Sequence, residues 1–399
     1  MKTKDHKTHI GIYGRRNHGK SSIINTLADQ QIAIVSDTAG TTTDPVKKSF
    51  EILDYAPVIL VDTAGIDDTG ELGAKRIEKT EHSISTIDLA ILVIANNEFG
   101  SFEEELIKKF NYYKTPFFII HNKSDVQKVN ANLKAELEAK YKTTVIDFST
   151  LRPDNFDEVI ELIKTTAPEA SKVFKTIIGD LIQPNDVVML ICPIDSEAPA
   201  GRMILPQVQL IRDVLDNHCV NIVLQQDQVS EFFKTTNVKP KLAITDSQIF
   251  DLAGQLVPKE IPLTSFSTVL ARQKGDFENY LKGTPKIDEL KNGDRVLILE
   301  SCSHHVSCED IGRFKLPAWL RKYCACELEF DIVSGLDAIQ RPISDYAMVI
   351  QCGGCMITKK QIHNRLLPAI EAGIPVSNYG LAIAYVQGIY KRAVEPFKL

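Results

Sequence analysis

Short apolar runs alternate with helix-like stretches along the whole of this chain. Runs such as Leu89–Ala95, Phe117–His121 and Tyr346–Gln351 have the length and the apolar content of buried strands. Strands that alternate with helices in sequence favour a parallel sheet, because each helix returns the chain to the same edge of the sheet. The pattern therefore predicts an α/β fold.

Length and polar breaks divide this pattern into parts. A chain of 399 residues is too long for a single hydrophobic core, so we expect two or three domains. A clear break is the stretch Ala167–Ser171, after which the strand pattern resumes. We predict three consecutive α/β domains, which span residues 1–168, 172–265 and 280–399.

A glycine-rich loop connects the first predicted strand to the first predicted helix. The strand-like run His9–Tyr13 leads into the segment Gly14–Ser21, which has the form G-x-x-x-x-G-K-S. In this setting backbone N–H groups and the helix N-terminus bind phosphate, Lys20 bridges the β- and γ-phosphates, and the Ser21 hydroxyl binds Mg²⁺. The predicted nucleotide contacts of this loop are Gly14, Asn17, His18, Gly19, Lys20, Ser21 and Ser22.

Two further motifs complete a metal and γ-phosphate site. Asp62 ends an apolar strand and can hold Mg²⁺, and the N–H of Gly65 can sense the γ-phosphate. The polar stretch Ala39–Asp44 lies between the glycine-rich loop and this strand, and it suits a switch that closes Thr42 onto the metal. The predicted catalytic residues are Lys20, Thr42, Asp62 and Gly65, and the predicted Mg²⁺ ligands are Ser21, Thr42 and Asp62.

Base specificity is predicted to come from the segment Asn122–Asp125, which follows the strand Phe117–His121. The carboxylate of Asp125 can accept both N1–H and N2–H of guanine, and adenine has neither donor there. A later strand ends at Ser149 and Thr150, where a base-contacting loop belongs. The predicted base contacts are Asn122, Lys123, Asp125, Ser149 and Thr150. The ordered set of motifs predicts a GTPase that binds GTP and Mg²⁺.

This N-terminal motif set resembles the TrmE/Era-like group of GTPases. Ile66 stands where Ras-like proteins carry a water-orienting glutamine, so that role passes to another group. Asn17 occupies the position of a potassium-binding asparagine, which implies a K⁺ ion between the phosphates and slow turnover without it. Arg15 and Arg16 are alternative sources of positive charge, although each is more simply interpreted as a solvated loop residue.

Cysteines outside any motif are interpreted as structural. Cys192 ends an apolar strand and Cys219 follows a helix, so both are predicted to be buried thiols. Cys324 and Cys326 are predicted to point to one face of a strand as a core pair.

The middle domain has no motif that can be tied to a reaction. A small unit of this kind between two functional domains suits subunit association, and we predict a dimerisation domain and a homodimer.

Thiols gather in the last third of the chain. None of the eight cysteines precedes Cys192, and six lie between Cys302 and Cys355. The segments Cys302–His304 and Cys352–Cys355 each follow a strand-like run. The carboxyl ends of parallel strands meet at one edge of a sheet, so these thiolates and the imidazole can share a metal. The residues alone leave both a Cys₃His zinc site and a [4Fe–4S] cluster open.

The GTPase motifs and the cysteine segments together resemble the HydF family of [FeFe]-hydrogenase maturation proteins over essentially the whole chain. The resemblance implies a P-loop GTPase domain, a small dimerisation domain and a parallel-sheet domain that binds an iron–sulfur cluster. It implies a [4Fe–4S] cluster held by Cys302, Cys352 and Cys355, with His304 as a candidate fourth ligand. The family commonly has a histidine before the CxxC motif. Gln351 replaces it here and leaves the fourth iron position unassigned.

The same resemblance implies a scaffold or carrier in hydrogenase maturation. The family receives a diiron precursor made with the radical-SAM maturases HydE and HydG and passes it to the apo-hydrogenase HydA. The expected cofactors are GTP, Mg²⁺, K⁺, the [4Fe–4S] cluster and the transient diiron precursor. Two alternatives stay open: a potassium-dependent regulatory GTPase with a structural zinc site, and an RNA-associated GTPase of the TrmE/Era type.

Charge and hydropathy bear on the remaining protein classes. The net charge of −6 argues against a general nucleic-acid binder, whose surface is basic. No apolar run approaches the roughly 20 residues that span a bilayer. The N-terminal segment Met1–Lys7 lacks the apolar stretch of a signal peptide. We therefore expect a cytoplasmic protein that binds neither membranes nor nucleic acid.

Overall fold

The computed structural model describes residues 8–30, 47–52, 57–62, 80, 82–167, 176–194, 203–301, 311–354 and 357–397. The chain forms two compact units, Met1–Phe174 and Lys175–Leu399. Within the described ranges, no helix is both long enough and apolar enough to cross a bilayer.

Strands and helices alternate in the first unit. Its strands are β1 (Thr8–Gly14), β2 (Lys47–Glu51), β3 (Pro57–Asp62), β4 (Leu89–Ala95), β5 (Phe117–Asn122) and β6 (Val145–Asp147). Its helices include α1 (Lys20–Gln30), α2 (Ser101–Tyr112), α3 (Ala131–Tyr141) and α4 (Phe156–Thr166). The strands form one sheet in the order β2-β3-β1-β4-β5-β6. All neighbours run parallel except β2 and β3 at one edge.

The central strand β4 explains why helices cover both faces of this sheet. All seven of its residues are buried. Ile91 and Val93 belong to one hydrophobic cluster, which also contains residues of α1 and α4. Leu92 and Ile94 belong to another, which also contains residues of α2 and α3. Because successive side chains of a strand point to opposite faces, a strand that is apolar throughout needs a core on each side.

Two parallel four-stranded sheets form the second unit. The strands of the middle sheet are β7 (Val187–Ile191), β8 (Val220–Leu224), β9 (Leu242–Thr245) and β10 (Leu263–Ser265), in the order β10-β9-β7-β8. The strands of the last sheet are β11 (Arg295–Leu299), β12 (Glu329–Val333), β13 (Met348–Gln351) and β14 (Val376–Asn378), in the order β12-β11-β13-β14. Within the described residues of this unit, the α-helices are α5 (Leu205–Asp216), α6 (Val229–Thr235), α7 (Phe250–Leu256), α8 (Phe266–Lys274), α9 (Phe277–Gly283), α10 (Leu316–Cys324), α11 (Lys359–Glu371), α12 (Tyr379–Val386) and α13 (Tyr390–Val394).

The two sheets of the second unit share a hydrophobic core. One cluster of buried residues contains Leu190 and Ile244 from the middle sheet together with Leu297 and Val349 from the last sheet. Helix α8, which begins directly after β10, adds Leu270 to the same cluster. Burial of this shared apolar surface therefore stabilises both sheets at once.

The predicted fold class is confirmed, because the chain is an α/β protein built on largely parallel sheets. The first unit holds one such sheet and the second unit holds two. The division into domains at residues 1–168, 172–265 and 280–399 stays a prediction.

One local prediction is wrong, since Cys324 and Cys326 do not lie on a strand. Helix α10 ends at Cys324, and Ala325 caps it with the left-handed angles φ 51° and ψ 37°. Strand β12 begins only at Glu329. A left-handed residue at this position is usually glycine, so the alanine gave no sign of a helix end.

Candidate functional site

The phosphate-binding loop joins β1 to α1 and depends on two glycines. Gly14 has a φ of +143°, and a Cβ atom there would lie 2.2 Å from the carbonyl oxygen of Val93. Gly19 has a φ of +88°, and a Cβ atom there would lie 2.3 Å from Nδ2 of Asn122. Glycine alone combines these backbone angles with such close contacts. The two glycines thus let the loop pack directly against β4 and β5.

Lys20, the first residue of α1, is held inside this loop. Its Nζ donates hydrogen bonds to the carbonyl oxygens of Gly14 at 2.8 Å and Arg15 at 2.7 Å. Only 8% of the residue is exposed, whereas Ser21 and Ser22 behind it lie on the exposed side of the helix. A buried ammonium in the glycine-rich loop is the arrangement by which this motif attracts phosphate.

Arg15 is a positioning residue rather than a solvated one, so its interpretation as a solvated loop residue is wrong. Its Nε and Nη2 donate to the two carboxylate oxygens of Glu103 at 2.8 and 2.9 Å. Its guanidinium also lies 5.6 Å from the ring centroid of Phe102. Glu103 is fully buried and accepts a further hydrogen bond from the N–H of Gly100. This bidentate pair fixes the phosphate loop to the start of α2.

Asn17 and His18 form the tip of the loop and have different surroundings. Asn17 is exposed and has a φ of +60°, a conformation that asparagine tolerates better than most residues. His18 is buried, and its Nε2 lies 3.5 Å from Oε2 of Glu98. Burial lowers the pKa of the His18 imidazole below its usual value, so the ring is mainly neutral near pH 7.

The segment after β5 is tied to the phosphate loop. Nδ2 of Asn122 donates to the carbonyl oxygen of His18 at 2.8 Å. The exposed Asp125 accepts a hydrogen bond from Oγ of Ser149 at 2.6 Å, which orients its carboxylate. The predicted phosphate and base contacts therefore lie at the same edge of the sheet, at the carboxyl ends of β1 and β5.

His121 belongs to this edge but was not among the predicted site residues. It is fully buried, and its Nδ1 donates to Oδ1 of Asp147 at 2.9 Å. Its Nε2 accepts a hydrogen bond from the N–H of Asn97 at 3.3 Å. Through these two hydrogen bonds His121 joins the loop after β4 to the end of β6. The sequence signal was a histidine at the end of an otherwise apolar strand.

Two predicted GTPase residues cannot be placed. Thr42 and Gly65 lie outside the described residues. Asp62 is the last residue of β3 and its backbone pairs with Ile12 of β1, so it ends close to the phosphate loop. The predicted contacts that the structure does place at or beside this edge are Gly14, Asn17, His18, Gly19, Lys20, Ser21, Ser22, Asn122, Lys123, Asp125, Ser149 and Thr150.

A second candidate site lies where β11 and β13 end side by side. Leu299 pairs with Gln351, and the N–H of Cys352 donates to the carbonyl oxygen of Leu299 at 2.9 Å. The Cys352 thiol lies 2.8 Å from Oγ of Ser301. Ser301, the residue before Cys302 in the sequence, therefore lies at the same edge of the sheet as Cys352.

Gln351 is built into this edge as a buried amide. It is fully buried, and its Nε2 donates to Oγ of Ser301 at 3.0 Å. The same Nε2 lies 3.6 Å from the sulfur of Cys352. In the part of the chain that the structure describes, its Oε1 has no hydrogen-bond partner. An amide in this place orients the thiol of its neighbour by hydrogen bonding.

Of the four predicted cluster ligands, Cys352 is the one that the structure describes. Cys302, His304 and Cys355 lie outside the described residues. Among the residues that are described, no group of three or more His, Cys, Asp or Glu side chains could hold a metal ion. Cys352 is partly exposed at the strand end, and Gly354 turns the chain there with a φ of +72°. A soft sulfur donor next to a tight turn suits iron or zinc.

Three family models match this chain. The model described as a 50S ribosome-binding GTPase matches residues 9–123. The hydrogen maturase F dimerization domain matches residues 177–275, and the hydrogen maturase F tetramerization domain matches residues 278–396. The two maturase models coincide with the middle and the last sheet of the second unit.

Solved structures of GTP-binding proteins are also similar to the chain. The G domain of the FeoB iron transporter from T. maritima is 18% identical, with 40% of this chain and 97% of that chain covered and a TM-score of 0.32. Era from Aquifex aeolicus, bound to GDP and AlF4⁻, is 19% identical, with 54% of this chain and 92% of that chain covered and a TM-score of 0.35. A probable GTP-binding protein, engB, is 18% identical, with 40% of this chain and 98% of that chain covered and a TM-score of 0.32.

Proposed function

This chain belongs to the hydrogen maturase F (HydF) family, and on this basis we propose that it is a GTP-hydrolysing scaffold or carrier for maturation of [FeFe]-hydrogenase. In this role it binds a [4Fe–4S] cluster and transfers a diiron precursor of the H-cluster to the apo-hydrogenase. The observation that carries the proposal is the order of the matched domains, a GTPase followed by two maturase F domains.

The N-terminal unit contains a GTPase domain, whose substrate is GTP and whose metal is Mg²⁺. We assign Lys20 to the β- and γ-phosphates, and Ser21, Thr42 and Asp62 to Mg²⁺. Gly65 is assigned to the γ-phosphate. The buried Lys20 ammonium and the position of Asp62 next to β1 support this assignment. The chemistry required is placement and charge stabilisation of the transferred phosphoryl group.

A potassium ion is the proposed additional charge at the phosphates. Asn17, which we assign to K⁺, is exposed at the tip of the phosphate loop. Arg15 is engaged with the buried carboxylate of Glu103, which argues against its use as an arginine finger. A bound cation that replaces such a finger accelerates hydrolysis, so the rate depends on the salt present and is slow without the cation.

The cluster ligands that we propose are Cys302, Cys352 and Cys355, with His304 as a candidate fourth ligand. The support is the contact between Cys352 and Ser301, because Ser301 directly precedes Cys302. When bound, the [4Fe–4S] cluster supplies an iron whose fourth position can exchange ligands. Gln351 holds Ser301 and the Cys352 thiol in place rather than serving as a ligand.

The homodimer that we propose forms through β8, an edge strand of the middle sheet. Val220 is 51% exposed and Val223 is 41% exposed on this strand. An exposed apolar edge strand is a template for pairing with another strand. The partner is a second copy of this chain, since the matching family model is a dimerization domain.

The protein partners that we propose are those of hydrogenase maturation. The radical-SAM maturases HydE and HydG supply the diiron precursor, and the apo-hydrogenase HydA receives it. The family models support this general role. We propose the cytoplasm as the location.

Replacing Asp125 by Asn should reduce the preference for GTP over ATP by about tenfold or more, because an amide cannot accept both donors of guanine. Competition of GTP and ATP for a fluorescent GTP analogue measures the preference. Asp154→Asn, at another exposed carboxylate of this unit, is the control and should leave it unchanged. A wild-type preference in the Asp125 variant would show that this carboxylate does not read the base.

Hydrolysis should be roughly tenfold faster in KCl than in NaCl at equal ionic strength, because Na⁺ is too small for the same coordination. Phosphate release under steady-state conditions gives both rates. The Asn17→Ala variant should lose the difference between the salts, while Asn132→Ala at an exposed position should keep it. Equal rates in the two salts for the unmodified protein would remove potassium from the mechanism.

Anaerobic incubation with iron and sulfide should load the protein with a [4Fe–4S] cluster, and Cys302→Ala should lose it because a ligand is missing. Absorption and electron paramagnetic resonance (EPR) spectra report the cluster, and metal analysis reports iron and zinc. Cys192→Ala, which changes a buried thiol of the middle sheet, is the matched control and should still load. Stoichiometric zinc without iron would instead support a regulatory GTPase with a structural zinc site.

Val223→Glu should convert the dimer to monomers, because like charges would face each other along the paired edge. Sedimentation velocity over a range of concentrations measures the association state. Val126→Glu makes the same change at a valine that is 78% exposed in the first unit, and it should leave the dimer intact. Dimers that persist in the Val223 variant would place the interface elsewhere.

A further inference from the structure

Helix α8 of the middle sheet runs beneath the cysteine segment of the last sheet. A Cβ atom on Gly353 would lie 3.5 Å from Oγ of Ser267 and 4.0 Å from Cδ1 of Leu270. Lys274, one turn further, also reaches the segment. Positions 267, 270 and 274 follow the spacing i, i+3, i+7, so they share one face of the helix. One helix face therefore supports this loop.

Lys274 is a buried cation at the end of that face. Only 4% of the residue is exposed. Its Nζ donates to the carbonyl oxygens of Gly354 at 3.0 Å and Ile357 at 3.4 Å. These two residues lie on either side of Cys355 in the sequence. Because burial of an ammonium is costly, its retention here indicates that its charge or its hydrogen bonds serve the loop.

Arg365 of α11 holds the other strand end in the same way. Its Nη1 donates to the carbonyl oxygen of Glu300 at 2.8 Å, and its Nη2 lies 3.3 Å from that of Val333. Glu300 lies two residues before Cys302 in the sequence. The carboxylate of Glu300 is paired with a different cation, Arg313, at 2.9 Å. Lys274, which is buried, thus bonds to the backbone beside Cys355, and Arg365, which is partly buried, bonds to the backbone two residues before Cys302.

We propose that Lys274 and Arg365 form a cationic frame around the cluster site and that their charges favour its reduced state. This inference rests on the proposed cluster-binding function. One-electron reduction adds a negative charge to a thiolate-bound cluster, and a nearby fixed positive charge in a water-poor setting stabilises that charge. Hydrogen bonds to the carbonyl oxygens of Gly354 and Glu300 fix the positions of the two side chains.

Three variants at Lys274 separate charge from hydrogen bonding. Lys274→Met removes both, Lys274→Gln keeps a donor without the charge, and Lys274→Arg keeps both. The full-length protein is loaded with iron and sulfide under anaerobic conditions and titrated with dithionite, and the reduced cluster is quantified by EPR. At the wild-type midpoint potential, the ratio of reduced to oxidised cluster should fall about tenfold in the Met and Gln variants. For a one-electron step this corresponds to a midpoint potential that is lower by about 59 mV. The Arg variant should stay close to the wild type.

Lys282→Met is the matched control. Lys282 carries the same charge on the neighbouring helix α9, but its side chain is 68% exposed and paired with Glu278 at the surface. Solvent screens such a charge, so the ratio should not change. Arg365→Gln should lower the ratio of reduced to oxidised cluster, as Lys274→Gln does. Arg365→Lys keeps the charge and should leave this ratio close to that of the wild type.

The outcomes separate this inference from the function on which it rests. A wild-type protein that binds no cluster contradicts the proposed function itself. A loaded wild type whose Lys274→Gln variant titrates with the same midpoint overturns the cationic frame and leaves the function standing. A shift in Lys274→Arg equal to that in Lys274→Gln also overturns it, because the charge would then not be the cause. If the Met variant fails to fold, the Gln and Arg variants decide.

Discussion

The parallel pairing of β11 with β13 is the constraint on which the C-terminal site depends. Leu299 pairs with Gln351, so the segments that follow these strands start from neighbouring positions at one edge of the sheet. Residues far apart in sequence are therefore brought together by backbone hydrogen bonds. A register shift of one residue would turn Gln351 and Cys352 to the opposite faces, which is why the buried amide is as important as the thiol beside it.

The two candidate sites use the same geometry with different means of support. Each lies at the carboxyl ends of parallel strands, and each contains a buried lysine bonded to loop carbonyl oxygens, Lys20 in one and Lys274 in the other. In the first site the lysine comes from the motif itself. In the second it comes from a helix of the preceding sheet, so the middle sheet contributes to a site for which it supplies no motif.

Local patterns predicted the fold class and the phosphate loop because both depend on short-range features. Alternation of strands and helices indicates parallel sheets, and the glycines at positions 14 and 19 are required by backbone angles that the motif itself defines. The roles of Arg15 and Lys274 could not be predicted, since each depends on a partner far away in the sequence, Glu103 in one case and Gly354 in the other. The assignments of Thr42, Gly65, Cys302, His304 and Cys355 stay predictions.

The shared core of the second unit determines how this protein can be taken apart. Leu190 and Ile244 of one sheet pack in the same cluster as Leu297 and Val349 of the other, so removal of either sheet uncovers an apolar face of its neighbour. We therefore expect the two maturase regions to unfold as a single cooperative block, although they are matched by separate family models. The division of the chain at Lys175 leaves this core whole, whereas a cut between the two sheets would divide it in half.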